Sequence, residues 1–372
     1  MGRIKQNNAR PFNDELVALL EKWASWSSRS QVQVSSRANR MAGGRNGPYD
    51  DPETPLRNTS HWLALNSILY KISGDTALRD RALWLCEYLL NDKAHLGPNA
   101  YVYRQKAGKD SCNGVIGPAW HAEGLGKAGT YLGLNECTTL AKSILARLQF
   151  NSLEGAWHRQ EAETGQGHVD FTYNHQSWFA AIKAELDGPS PDVSAFLDTS
   201  LARSFRTHTT GLASHLFYSN TSRGLRARAI FELGQWKNPK HFETREIGYH
   251  LFVMHSLTRL SLVYPDHPLF KSDKFTKAIS YIDDERFFES LTTNKYAYPY
   301  NSPAYEAPLI LLVWRKHFKS LDPDQTIKRL LGYLDEYYSP WSSKPSPQKI
   351  PDPVTLFSRV YELAICLEHK FD

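Results

Sequence analysis

Long apolar runs are missing from this 372-residue sequence. No stretch approaches the roughly 18 consecutive apolar residues that a membrane-spanning helix needs. The opening residues, MGRIKQNNARPFNDEL, contain no apolar signal-peptide core. The chain therefore reads as a cytoplasmic protein with no membrane span, secreted only if a leader has been removed. Cysteine is scarce. Cys86, Cys112, Cys137 and Cys366 stand far apart with no CxxC, which excludes a disulfide framework and a cysteine zinc site. Several motifs are absent: GxGxxG after a strand, the P-loop, HExxH and GxSxG. His250 and His255 are five apart and so face different sides of a helix. No metal and no cofactor are expected. The sequons at Asn58 and Asn220 carry no weight without a secretory signal. A strong charge of one sign is also lacking. The net charge is +5, and the basic residues are dispersed apart from RGLRAR at 223–228. That excludes a nucleic-acid footprint and leaves a weak pull on anionic ligands. Finally, no Pro/Gly/Ser linker divides the chain; SSKPSPQKIPDP (342–353) lies too near the C-terminus.

What is present is helical periodicity over a composition that is 41% hydrophobic, enough for a large core. Leu16, Leu19, Leu20 and Trp23 share a helix face. A helix over 60–74 ends at Gly74, and the next, 75–92, opens on an Asp cap, giving a helical hairpin. The pattern recurs at 113–133 with 135–150, 174–187 with 191–205, 246–263 with 273–283, and 304–319 with 323–338, before a last helix at 353–369. Strand-like alternation is confined to Ala100–Tyr103 and Leu212–Tyr218. A polar or aromatic signature opens every other helix: Asn58, Asn113, Asn174, Tyr249 and Asn301. The helices after these signatures are small and apolar, as for an inner ring buried on all sides, while the intervening ones carry a charged face. This predicts an all-α fold over residues 1–372, a single (α/α) toroid of helical hairpins, either an incomplete or a complete (α/α)6 barrel. The inner helices would gather all five signatures at one mouth. An α-solenoid is the structural alternative.

The densest constellation is DFTYNHQSWF, Asp170–Phe179, with Tyr173, Asn174, His175 and Trp178. Asn174 is placed to cap its helix; a histidine beside it is harder to explain by packing. Downstream, REIGYHLFVMHSL holds Arg245, Tyr249 and His250, with Arg245 and Tyr249 four apart on one face. GLASHLFY places His215 on a strand or loop. Further mouth candidates are Asp51, Glu53, Arg57, Asn58 and His61; Asn113, Trp120, His121 and Glu123; and Tyr298, Tyr300, Asn301, Tyr305 and Glu306. Taken singly, each has a structural explanation in turns, core packing or ion pairs. Together they place many Trp, Tyr, Asn and His at helix starts, the lining expected of a sugar-binding mouth.

YNHQSWFAA resembles the Asn-His-x-x-Trp segment of the (α/α)-barrel alginate lyases and related heparinase-type lyases. REIGYHLFVMHSL resembles their later helix, where an Arg precedes a catalytic Tyr followed by His. The likeness covers roughly residues 110–265 and is close in those two segments only. The interval from His175 to Tyr249 is longer than in the alginate enzymes, so residues 190–245 are expected to be built differently. The resemblance implies β-elimination on a uronic-acid-containing polysaccharide or oligosaccharide. Asn174 and Arg245 would neutralise the uronate carboxylate; His175 and Tyr249 would move the protons.

Those residue types suit that chemistry. Removing a C5 proton beside an anionic carboxylate needs donors or a cation to absorb the developing charge, and an acid–base pair to move the protons. A tyrosine base would need a nearby cation such as Arg245 to lower its pKa. Two alternatives use the same barrel. A glycoside hydrolase would need a carboxylate pair drawn from Asp170, Glu123, Glu53 and Glu306. A sugar epimerase would use a histidine pair from His175, His215 and His250. A helical scaffold without activity would present an apolar or charged groove instead.

Overall fold

The computed structural model describes residues 9–29, 39–91 and 97–369. Residues 1–8, where a signal peptide would begin, lie outside it, as does the end of the helix expected at 75–92. The helices are α1 (Ala9–Arg29), α2 (Leu56–Ser73), α3 (Thr76–Leu89), α4 (Ile116–Leu132), α5 (Asn135–Ala146), α6 (Tyr173–Asp187) and α7 (Pro191–Thr199). They continue with α8 (Ser222–Lys237), α9 (Pro239–Val263), α10 (Asp273–Ile282), α11 (Glu285–Thr292), α12 (Pro303–Val313), α13 (Pro323–Tyr337), α14 (Pro353–Ser358) and α15 (Tyr361–Ala364). A single two-residue hairpin pairs β1 (Phe150–Asn151) with β2 (Ala156–Trp157) among the described residues.

Contacts between elements close a ring. α2 packs on α4, α4 on α6, α6 on α9, α9 on α12, α12 on α15, and α15 back on α2. Six inner helices therefore form a complete (α/α)6 toroid. Five carry the signatures read in the sequence, although Tyr249 lies well inside α9, which begins at Pro239 and not at 246; the sixth is the C-terminal segment, which breaks at Arg359–Val360 instead of running as one helix from 353 to 369. Inner helices have little exposed surface: every α2 residue from Leu56 to Leu69 is buried, as is every α12 residue from Pro303 to Leu312. Outer helices bury one face only. α1 inserts Leu16, Leu20 and Trp23, each aliphatic side chain worth about 1.5–3 kcal/mol of burial. Trp23 meets Trp26, Tyr305, Trp341 and Phe357.

Turn chemistry fixes the hairpins. Gly74 takes φ 71° and returns its N–H to Tyr70 O, and Asp75 then caps α3 by accepting from Ala77 N at 2.9 Å. Two expectations are corrected. Neither Ala100–Tyr103 nor Leu212–Tyr218 forms a strand; the latter contributes only the single bridges Thr172↔Leu216 and Thr207↔Ala213. Asn174 does not cap α6, because it lies inside the helix, with Thr172 at the cap position.

Candidate active site

The loop before α6 and the loop before α8 run side by side. Tyr173 N–H donates to His215 O at 2.6 Å, and Phe217 N–H donates to Phe171 O at 2.7 Å. This short antiparallel contact sets His175, in the first turn of α6, beside His215. Asp170 orients His175: its Oδ2 lies 2.7 Å from His175 Nδ1. The same carboxylate accepts from Val115 N at 3.2 Å and Thr172 N at 3.0 Å. Burial works to raise the Asp170 pKa, but His175 and the Thr172 amide outweigh it and hold the carboxyl below its ordinary value. Gly114, at φ 64° before α4, gives the pair its room, since a Cβ there would collide with Asp170 Oδ2.

His215 has its own carboxylate. Glu246, buried in α9, places Oε1 3.6 Å from His215 Nδ1, too long for a full hydrogen bond but close for a charge. Its Oε2 lies 2.6 Å from His208 Nε2. Burial pushes Glu246 upward, yet the two imidazoles pull its pKa down to about 2. Burial lowers the His215 pKa, with Glu246 opposing and the charges of Arg245 and His175 adding to the fall. His215 is therefore neutral at pH 7, a base ready to accept a proton.

Both histidines line a cavity of about 280 Å³ at the mouth of the barrel, together with Asn174, Arg245, Tyr249 and Trp120. Asn113, Tyr300 and Asn301 are also on its wall. Two of these groups have nothing to bind. The Asn174 side chain has no hydrogen-bond partner among the described residues, and its Oδ1 is buried. Arg245 Nε is likewise buried and unpartnered, the guanidinium resting 4.7 Å from the Phe242 ring centre. Buried polar groups are normally satisfied, so this unspent guanidinium and the Nδ2 donor of the amide are free to bind a ligand, while the buried Oδ1 is an acceptor. Other cations on the wall are spent: Lys109 and Arg104 pair with Asp51 at 2.8 and 3.5 Å. The Tyr249 hydroxyl meets that of Tyr49 at 2.8 Å. The expectation of a tyrosine acidified by Arg245 is corrected, because burial and the phenols of Tyr300 and Tyr49 raise Tyr249 well above its ordinary pKa. Among the described residues, no group of three His, Cys, Asp or Glu side chains is placed to hold a metal.

No protein-family profile matches the chain. A similar sequence is archaeal glycosylation protein Q of Haloferax volcanii, 29% identical over 301 residues, spanning 76% of this chain and 81% of that protein. Among solved structures, cellobiose 2-epimerase from Bacillus thermoamylovorans superposes with a TM-score of 0.62 at 10% identity, covering 96% of this chain and all of that one. An unsaturated glucuronyl hydrolase specific for heparin gives 0.55 at 15% identity, covering 95% and 96%. The fold is the (α/α) toroid of sugar-processing enzymes.

Many residues expected at the mouth are structural instead. Arg57 is buried against Glu53 at 3.2 Å and stacks 3.7 Å over Trp120. Asn58 donates to Ala42 O and accepts from Ser358 Oγ at 2.9 Å. His61 contacts that same Ser358 at 3.1 Å and stacks on Tyr361, and His121 contacts Tyr103 OH at 3.1 Å. Glu123 is held by Arg259, Trp178 and Tyr361, which places Trp178 in the core as well. Tyr173 stacks among Phe196, Phe205 and Phe217. Tyr298 and Tyr305 are buried. His250 accepts from Ala213 N and faces Ala278 O, both at 3.1 Å, and burial takes it down to about 4. Glu306 is buried on Arg359. None of the four carboxylates proposed for hydrolysis lines the cavity: Glu53 and Glu123 are in buried ion pairs, Glu306 is buried as a hydrogen-bond acceptor of Arg359, and Asp170 stands behind His175.

Sequence reasoning did not find Tyr49, Asn46 or Glu246. Asn46 accepts from Tyr300 OH at 2.7 Å and precedes the single 3-10 turn Gly47–Tyr49 that carries Tyr49, a piece too short to show a periodic pattern. Glu246 sat inside the REIGYH string. Its neighbours Arg245 and Tyr249 drew the assignment, although on a helix Glu246 shares a face with Tyr249 three residues on and stands about 100° from Arg245.

Proposed function

We propose that the protein moves the C5 proton of a uronic-acid residue, epimerising it at that carbon. The observation that carries this reading is the pair of carboxylate-backed imidazoles, His175–Asp170 and His215–Glu246, on one cavity with an unpartnered guanidinium and amide. Neutral His215 takes the C5 proton while its bonding electrons pass into the carboxylate. Arg245 and Asn174 hold that carboxylate and absorb the added charge. His175, fixed by Asp170, returns a proton to the opposite face of C5. His175 ends one proton short and His215 one proton richer; exchange with solvent resets both rings, and no co-reactant is consumed. The cavity lies at the small end of ligand sites, which suits one sugar residue better than a long polymer. The similarity to a glycosylation protein agrees with a glycan substrate.

Tyr249 supports a second outcome of the same first step. It remains protonated and faces the cavity, so with a glycosidic oxygen at C4 it is a donor for β-elimination. One experiment separates the readings. Uronic-acid sugars and oligosaccharides, including glucuronan, heparosan and alginate fragments, are incubated in deuterated water, and mass and ultraviolet absorbance are followed. Deuterium gained without absorbance is the expected result. Rising absorbance marks an unsaturated uronide and makes the protein a lyase. New reducing ends with neither signal would mean hydrolysis and sink the proton-transfer reading.

A further inference from the structure

The basic string RGLRAR at 223–228 plays no part in the cavity. It opens α8, where Leu225, Ile230, Leu233 and Trp236 are 51%, 64%, 51% and 78% exposed. Only three other large apolar side chains are exposed among the described residues: Ile72, Leu153 and Leu262. At about 100° per residue, Leu225, Leu233 and Trp236 make one outward stripe, with Arg226 and Lys237 along one flank and the Arg228–Glu232 pair along the other. The inward face packs Phe231 on His215 and Phe242 at 5.2 and 5.1 Å. α8 therefore borders the active cavity while showing its larger apolar residues to solvent. A cluster of this kind marks an interaction surface.

A second cavity, of about 460 Å³, adjoins this helix. Arg203, Arg206, Arg228 and Lys274 line it, with no carboxylate on its wall. Arg228 pairs with Glu232 at 2.7 Å, and Arg203 and Lys274 donate to backbone carbonyls. Arg206 has no hydrogen-bond or ion-pair partner among the described residues; it lies 4.5 Å from the Tyr218 ring centre. Exposed apolar side chains beside a wall of four cations, of which only Arg228 has a carboxylate partner, match the chemistry of an anionic lipid surface. They fit a second copy of the chain poorly, because a two-fold contact would set this basic patch against itself.

We propose that α8 and the adjoining basic cavity dock the protein on a membrane bearing anionic phospholipids. Leu225, Leu233 and Trp236 enter the headgroup boundary, and the cavity takes a headgroup phosphate. Docked in this way, the barrel holds its active cavity at the lipid surface. The corollary that the sugar is carried on a lipid rests on the proposed reaction, whereas the docking does not and is tested without turnover.

The test is flotation with phosphatidylcholine vesicles, with and without phosphatidylglycerol. Binding is expected only to the anionic vesicles. The triple variant Leu225→Gln, Leu233→Gln, Trp236→Gln loses about a hundredfold or more in affinity. Arg206→Gln with Lys274→Gln loses roughly ten- to thirtyfold. These side chains are not in the core, so unchanged circular dichroism and thermal midpoints serve as the folding control. Absence of vesicle binding overturns the proposal, as does binding untouched by the triple variant. Inorganic phosphate bound in calorimetry without vesicle binding would make the cavity a soluble-anion site. A concentration-dependent dimer lost in the triple variant, without vesicle binding, would make α8 a self-contact.

Discussion

Asp170 holds His175 from five residues upstream, Oδ2 to Nδ1 at 2.7 Å, while also accepting the Val115 amide at 3.2 Å. The carboxylate thus ties the start of α6 to the start of α4 and fixes which ring nitrogen faces it. Asp170→Asn keeps the shape but takes away the charge that faces His175 when the ring gains a proton. Turnover should fall about 10²- to 10⁴-fold with little change in KM. Equal activity in the variant would remove the pair from the mechanism.

Gly114 is the steric counterpart of that pair. At φ 64°, with Asp170 Oδ2 against the place of its missing Cβ and His175 Nδ1 only 2.8 Å from it, Gly114→Ala must displace the pair and strain the turn. The expected result is a folded protein, destabilised by about 1–3 kcal/mol, whose turnover falls as far as that of Asp170→Asn. Denaturant melts and steady-state kinetics check both halves. Destabilisation with full activity would make Gly114 a turn residue only.

Most of the inner ring was legible because its helices are largely buried and four of them carry an Asn signature at or near the start. His175, Asn174, Arg245 and Tyr249 were legible as local strings, and all four line one cavity. Other features were hidden for physical reasons. α8 shows no inward apolar stripe, since Leu225, Leu233 and Trp236 point to solvent, so periodicity could not reveal it. Tyr49 reaches Tyr249 across 200 residues of sequence. His250 looked functional beside Tyr249, yet one step along a helix turns a side chain about 100°, here onto the backbone of Ala213 and Ala278.

The Tyr49–Tyr249 contact bears on which group is the base. Burial raises both hydroxyls, and the neighbouring phenols add to it. A near-ultraviolet titration should show no tyrosinate step near neutral pH that disappears in Tyr249→Phe. A step of that kind would restore the tyrosine base and favour elimination. For epimerisation, Tyr249→Phe should retain deuterium exchange within about tenfold of the parent, because only a hydrogen bond is lost.

Glu246 predicts a pH dependence of stability. Its folded pKa, about 2, lies below the unfolded value of 4.5. The stability this confers is full above the unfolded value and is lost as pH falls toward 2. For a group only 1% exposed, the shift corresponds to about 3 kcal/mol. His208 gives the opposite limb. Its pKa is raised, chiefly by the hydrogen bond to Glu246, so its share is full below 6.5 and is lost as pH rises through the folded value. The contact therefore contributes most between 4.5 and 6.5. Urea melts of Glu246→Gln should show a flatter profile on both sides of that window. Parallel profiles for variant and parent would refute the linkage.

Glu306 tests the buried ionic core and the hydrolase alternative together. Arg359 is gripped by Glu362, Nε to Oε1 at 2.7 Å and one terminal nitrogen to Oε2 at 2.9 Å, and Glu306 Oε1 lies 2.6 Å from that same nitrogen. Burial, with Glu362 adding and Arg359 opposing, pushes Glu306 up to about 8, so at pH 7 it is mostly neutral and close in shape to glutamine. Glu306→Gln should cost less than about 1 kcal/mol there. Because the folded parent retains a proton that its unfolded chain sheds above 4.5, parent stability falls between 4.5 and 8. The variant should therefore gain on the parent across that interval. Glu362→Gln drives Glu306 to ionise in its place and recovers part of the loss. The double variant leaves Arg359 without a countercharge and should cost about 3–5 kcal/mol, more than the two singles combined. If Glu306→Gln alone costs that much, the carboxyl is ionised and the protonation assignment is wrong. If it folds normally but loses turnover, Glu306 belongs to the chemistry, and the hydrolase reading gains the carboxylate it lacks.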